Sequence, residues 1–389
     1  MTVVAAVAAV TVSVLPRRLV PPVVVIELLL GIAVGPEVLG LAETDDFTAF
    51  FANLGLGMLF FFAGYEIDFE RVRGRPLRLA GTGWLLSLAL AYGIGGALAA
   101  AGIVLSFLYT GSALATTAIG TLIPVLRDSG DLRSRFGTYL LAAGAAGEFG
   151  PILLVTLILS GQNPVHETFI LLAFVALAVA VAVISVRSAF RGWPLLERTL
   201  ESSSQLAVRL AVVLVFGLVA LAGSLGLDVL LGGFVAGIVT RLALRGREVA
   251  VLESKLTAVG FGFLIPFFFV SSGMNFDVDA LGDTATLLKV PMFVALFLVA
   301  RGTPAVLLYR GVLAARDRVA LAFYSATELP LVVAITTIAV DQGHMGTSTA
   351  AALVGAAIIS TAAFPFVALA LRRGAPDRAP SGEPTAAPA

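Results

Sequence analysis

LLAAGAAGEFGPILLVTL, residues Leu140–Leu157, is apolar along its length except for one carboxylate, Glu148. The hydrophobic run around it extends from about Phe136 to Ser160, long enough to cross a bilayer. At 1.5 Å per residue Glu148 lies roughly 18 Å from either end. A charge at a helix centre costs about 2.5–3.5 kcal/mol even on the lenient insertion scale, so such a residue faces a partner or a water-filled cavity. Two readings follow. Glu148 alternately holds a proton and a small cation, or it is kept permanently protonated or ion-paired for helix packing. The first is carried forward because the rest of the chain supports it.

The 389 residues are 59% hydrophobic and only 13% charged, which excludes a soluble globular domain and reads as an all-α polytopic membrane protein. A net charge of +0 argues against a nucleic-acid partner. With no cysteine, neither a disulfide framework nor a thiolate metal site can form. The two histidines, His166 and His344, fall in predicted connections, so no imidazole is expected at membrane depth. That disfavours an intramembrane hydrolase, which would need a base for its nucleophile. Met1–Leu15 lacks a basic n-region and reads as a short first span rather than a cleavable signal. Lys255 and Lys289 are the only lysines among 25 basic residues, and the Arg, Ala, Gly and Val richness suggests a high-GC bacterial genome.

Thirteen hydrophobic segments are predicted, at about 2–15, 22–40, 47–66, 77–102, 104–127, 136–160, 165–190, 205–225, 227–243, 255–273, 285–310, 316–341 and 347–372. All basic residues except Lys289 and Arg301 fall in or beside the odd-numbered connections and the C-terminal tail. The even connections carry Glu43, Asp45, Asp46, Asp277, Asp279 and Asp283 instead. By the positive-inside rule the odd connections are cytoplasmic, with the N-terminus outside and the C-terminus inside the plasma (inner) membrane of a bacterium. The polar, Pro/Ala-rich stretch 374–389 reads as a disordered cytoplasmic tail.

The two halves resemble each other. LGLGMLFFFAGYEIDF (Leu54–Phe69) and VGFGFLIPFFFVSSGMNFDV (Val259–Val278) place a Gly pair, an FFF run, a Gly and an acidic turn in one order. LLLGIAVGPEVLGL (Leu28–Leu41) echoes VLLGGFVAGIVTRL (Val229–Leu242). The expectation is a transmembrane domain over 1–373: repeat one at about 1–160, a spacer helix at about 165–190, and an inverted repeat two at about 205–372. Segments five and twelve are each interrupted. GSALATTAIGTLIPVLRDSG (Gly111–Gly130) holds Thr116 and Thr117, and YSATELPLVVAITT (Tyr324–Thr337) holds Ser325, Thr327, Glu328 and Pro330. Proline removes a helix donor and disfavours helix in the residue before it. Broken helices at this depth are tolerated only where they line protein or water, and their ends attract ions.

Arg301 sits inside segment eleven, about 13 Å from its cytoplasmic end. Guanidinium does not deprotonate in practice, so it pairs with Glu148 or Glu328, or it snorkels; pairing is the favoured reading. Glu27, early in segment two, either touches the ion path or is a structural carboxyl.

The run PPVVVIELLLGIAVGPEVLG resembles the opening motif of monovalent cation:proton antiporters of the Kef-type and NapA-like group. FFFAGYEIDF, ATTAIGTLIPVLRDSG, LGGFVAGI, IPFFFVSSGMNFD and TELPLVV resemble further motifs of that superfamily, in the right order over about residues 20–340. The resemblance implies a NhaA-like antiporter fold of thirteen helices, with a dimerisation domain, a mobile core and two crossed broken helices. It implies exchange of Na⁺, K⁺ or Li⁺ for H⁺, no enzyme activity, no cofactor beyond the transported ions, and a homodimer in the bilayer. Residue by residue, Glu148 matches the ion-binding carboxylate and Arg301 the basic residue of segment eleven. Thr116 and Thr117 match the crossing of segment five, and Glu328 the Glu of segment twelve. Ser325 and Thr327 flank that Glu. Gly147 departs from the pattern, standing where the family usually has Asp, Asn or Gln; Glu148 itself replaces an Asp. One titrating carboxylate implies electroneutral exchange. Two rival readings keep the residues but not the function: Na⁺-coupled symport of an organic anion, and a non-transporting membrane sensor.

Overall fold

Without water to satisfy it, the backbone of an apolar chain must pair with itself, and among the described residues every regular element that does so is a helix. The computed structural model describes residues 1–14, 22–67, 72–154, 169–170, 172–174, 176–177, 180, 204–227, 229–243 and 248–372. The predicted spacer helix at 165–190, for the most part, and the predicted tail at 374–389 lie outside the described residues. Seven helical stretches, among them Asp46–Tyr65 and Thr347–Arg372, are long and apolar enough to cross a membrane by length and composition.

In chain order the helices are α1 (Thr2–Val14), α2 (Val23–Val34), α3 (Asp46–Tyr65), α4 (Arg75–Ala100), α5 (Phe107–Leu114), α6 (Ile119–Asp128) and α7 (Arg135–Leu154). There follow α8 (Leu206–Ser224), α9 (Val229–Ala243), α10 (Glu248–Val259), α11 (Ile265–Met274), α12 (Thr284–Phe297), α13 (Thr303–Leu308), α14 (Ala315–Ser325), α15 (Pro330–Asp341) and α16 (Thr347–Arg372). Local chemistry fixes several ends. Asp45 caps α3: its Oδ1 accepts from the Thr48 N–H at 2.8 Å, while Thr48 Oγ1 accepts from the Asp45 N–H at 2.8 Å. Asp283 caps α12 by accepting from the Thr286 N–H at 3.2 Å.

α10 runs into α11, and α12 into α13, through π turns at Gly260–Leu264 and Leu298–Gly302. Pro266 and Pro304 stand just beyond these turns and cannot donate to the preceding carbonyls, which favours the wider winding. Arg301 is therefore carried on a π turn, a form that recurs at functional sites.

The helices pack as two groups. α2 and α3 lie against α11, and α3 also against α9, which packs in turn on α8. α4, α5, α7, α12, α14, α15 and α16 form the second group, with few contacts between the groups. Within the first group backbone meets backbone. A Cβ on Gly64 would run into the Phe234 carbonyl, and one on Gly237 into the Phe61 carbonyl, so α3 and α9 touch only because both positions are glycine. These are the glycines that the sequence places beside the FFF run and in LGGFVAGI.

Both predicted interruptions are present. The first leaves Ala115–Ala118 without helical structure, ahead of Pro124, which lies within α6. The second leaves Ala326–Leu329 irregular, with Pro330 opening α15 where its missing N–H is harmless.

Candidate functional site

The two irregular stretches meet and bond to each other. The Ala118 N–H donates to the Thr327 carbonyl at 2.8 Å, and the Thr117 N–H donates to the Gly147 carbonyl on α7 at 3.0 Å. Backbone groups that lost their helical partners thus find tertiary ones, as burial in a low-dielectric interior demands.

Glu148 is on α7, one residue beyond that contact, and is only 5% exposed. Its Oε1 accepts from the Gly120 N–H at 3.5 Å, so the carboxylate faces the N-terminal, electropositive end of α6. Its Oε2 is buried without a hydrogen-bond partner. Beside it Phe149 stacks on Phe234 of α9, ring centroids 5.3 Å apart, which seats the site helix on the other helix group.

Glu328 is fully buried at the second break. Thr116 Oγ1 has one hydrogen to share between the Ala113 carbonyl at 3.0 Å and Glu328 Oε2 at 3.2 Å. The Glu328 N–H donates to Ser360 Oγ at 3.1 Å, and Glu328 Oε1 has no partner. A carboxylate can neutralise the exposed N-terminal ends of the broken helices. At the start of α6 that place is taken by Glu148, because the chain reaches Glu328 on the side of Thr116.

The expected ion pair of Arg301 is not formed, and neither is the snorkelling alternative. Arg301 is 4% exposed, and no carboxylate among the described residues lies within salt-bridge distance. Its guanidinium binds neutral oxygens. Nε and Nη2 donate to Thr117 Oγ1 at 2.9 and 2.6 Å, Nη1 to Ser87 Oγ at 3.1 Å, and Nη2 to the Ala143 carbonyl at 3.3 Å. Thr117 Oγ1 in turn donates to the Ser325 carbonyl at 2.6 Å. The Thr117 hydroxyl is thereby saturated. Thr116 keeps its lone pairs free. Ser325 takes part through its carbonyl, and so does Thr327.

Glu27 is buried on α2, with Oε2 unpartnered, and no hydrogen bond of the crossing reaches it. Ser87 and Ser360 are site residues that sequence reading missed. A lone serine in an apolar helix carries no periodic or motif signal.

A cleft of about 600 Å³ opens at the end of the molecule that carries Thr44, Asp277 and Asp341. Asn53, Ser271 and Thr337 also line it, between α3 and α11 on one side and α15 and α16 on the other. Glu148 is not part of the lining. Toward the opposite end Ile119, Ala145 and Glu66 enclose only about 10 Å³.

The family model for the sodium/hydrogen exchanger, transmembrane, matches residues 3–369. The chain is 27% identical over 362 residues to a putative Na(+)/H(+) antiporter, YjbQ, of Bacillus subtilis. That match covers 87% of this chain but only 57% of the relative's own length. It is 28% identical over 278 residues to the Na(+)/H(+)-K(+) antiporter GerN of Bacillus cereus, covering 68% of each. Its fold is similar to that of the sodium proton antiporter MjNhaP1 from Methanocaldococcus jannaschii solved at pH 8. The TM-score is 0.59 at 16% identity, over 95% of this chain and 94% of that one.

Proposed function

The chain belongs to the transmembrane sodium/hydrogen exchanger family, and from that premise we propose that it exchanges a monovalent cation for H⁺ across a membrane, with Glu148 as the shared seat. The observation that carries this reading is the state of Glu148. It is a buried carboxylate with one oxygen held by the Gly120 N–H and the other bare, beside a crossing of two unwound helices. One carboxylate cannot hold both occupants at once. A cation binds the ionised form, and protonation releases it. Thr116 and carbonyl oxygens of the crossing stand in for the cation's lost hydration shell. Thr117 is better assigned to holding Arg301 than to touching the ion.

The helix groups supply the rest of the mechanism. The group that carries the crossing moves against the group built on α3, α9 and α11, at the Phe149–Phe234 contact and its neighbours. The open cleft and the near-closed opposite end suit a state facing the acidic side, with Glu148 still sealed from the cleft. By the distribution of basic residues that side is the exterior. With Arg301 a fixed charge and Glu148 the exchanging one, a turnover moves one cation against one proton and no net charge. The fold is read as thirteen helices in two inverted halves, the seventh being the predicted 165–190.

Na⁺ is the first substrate to test. K⁺ and Li⁺ belong in the same assay, since one similar protein is named for both Na⁺ and K⁺. An organic-anion symporter would need Arg301 to reach the solute, but that guanidinium is turned onto Thr117, Ser87 and Ala143. The deciding experiment is pH-dye flux in vesicles with each cation, comparing wild type with Glu148→Gln. Loss of exchange is expected. Exchange at the wild-type rate would take Glu148 out of the mechanism.

A further inference from the structure

We infer that Gly147 is a positioning residue: the space left by its missing side chain is the seat of the Arg301 guanidinium, and that seat holds the two unwound stretches together. A Cβ built on Gly147 would collide with Arg301 Nη2 and with Oγ1 and Cβ of Thr117. The guanidinium therefore occupies the volume that any side chain at 147 would take. From that seat it joins four elements. It reaches Ser87 on α4, Thr117 at the first break, the Ala143 carbonyl on α7, and, from Nε at 3.4 Å, the Ser325 carbonyl at the second break.

Two neighbouring glycines set the comparison. Gly144 faces the side chain of Ile119, and Gly150 faces the ring of Trp84. Those are packing contacts. Gly147 alone on this face meets a charged group, and it immediately precedes Glu148. An added methyl must push the guanidinium out and also press on Thr117, whose N–H is bonded to the Gly147 carbonyl. The displaced cation loses its neutral partners at the two breaks, where Glu148 and Glu328 each keep a buried oxygen without a partner. It competes there with the transported ion, so Gly147 governs cation affinity through Arg301.

The effect on affinity rests on the proposed exchange at Glu148; the seat itself does not. The test therefore has two readouts on the full chain. Thermal unfolding in detergent is measured for Gly147→Ala, Arg301→Ala, both together, and Gly144→Ala with and without Arg301→Ala. If Gly147 acts by seating Arg301, Gly147→Ala lowers the midpoint clearly more in the wild-type background than when Arg301 is already alanine, where only the clash with Thr117 remains. Gly144→Ala lowers it equally in both backgrounds. An equal loss from Gly147→Ala in both backgrounds overturns the seat. In vesicles, Gly147→Ala raises the Na⁺ KM about tenfold while the maximal rate stays within about twofold. A loss of maximal rate at unchanged KM overturns the link to affinity. If Gly147→Ala does not fold, Arg301→Lys, which lacks the planar fork, restores folded yield in the double variant; failure to restore it also overturns the seat. Wild-type vesicles without exchange would defeat the proposed function and leave the unfolding comparison standing.

Discussion

The Thr117 hydroxyl accepts two N–H bonds from Arg301, at 2.9 and 2.6 Å, and gives its own proton to the Ser325 carbonyl. A positive charge buried in the membrane is thus held by a neutral oxygen. Replacing Thr117 with Val keeps the shape and removes the acceptor. Leaving a buried charged donor unsatisfied is expected to lower stability by about 2–3 kcal/mol, and Thr117→Ser is expected to recover most of it. Thermal unfolding of the two variants decides the point; equal midpoints would sink it.

Glu148→Asp keeps the charge but withdraws it by one methylene from the Gly120 N–H. Exchange is expected to persist with a changed cation KM, whereas Glu148→Gln abolishes it. Vesicle flux measures both. Equal loss in the two variants would mean that reach, rather than charge, decides the site.

At the other end of α16, Arg372 binds Asp131 through Nε at 2.8 Å and Nη2 at 2.6 Å, and Asp317 through Nη1 at 2.6 Å. The same guanidinium lies 3.9 Å from the centre of the Phe136 ring. Bidentate geometry makes this more than an ordinary surface pair. Asp131→Ala is expected to destabilise the protein by about 1–2 kcal/mol and to be sensitive to salt. A change within measurement error at low salt would contradict it.

The cap of α3 gives a pH test outside the membrane. The Thr48 N–H and hydroxyl hold the Asp45 carboxyl below its ordinary value. A depressed carboxyl stabilises the fold above its unfolded-state titration and loses that contribution as pH falls through the folded one. The unfolding midpoints of wild type and Asp45→Ala are therefore expected to differ at neutral pH and to converge in acid. Divergence on acidification would reverse the sign.

The absence of cysteine makes single-cysteine labelling direct. Ser272→Cys, in the cleft, is expected to react with an impermeant maleimide applied outside, and Ala145→Cys, near the sealed end, is not. The opposite pattern would invert the assigned orientation.

What the chain disclosed in one dimension was what its own spacing encodes. The burial of Glu148 follows from its place as a lone carboxylate in an apolar run, and the breaks follow from Thr116-Thr117 and Pro330 set in apolar runs. The glycines of α3 and α9 were legible as paired motifs. The partner of Arg301 was not. Charge alone suggested Glu148 or Glu328, but the outcome turned on the empty volume at Gly147 and on Ser87 and Ala143, which are remote in sequence. Glu27 was legible as a buried acid, yet its surroundings on α2 contain none of the crossing.

The bond from the Ala118 N–H to the Thr327 carbonyl is made of main chain alone. It is therefore indifferent to which side chains those positions carry. Ligands around it can be exchanged during evolution, and selectivity retuned, with the rivet between the two unwound strands left in place. Of the common residues only proline at position 118, which has no N–H to give, would cut it.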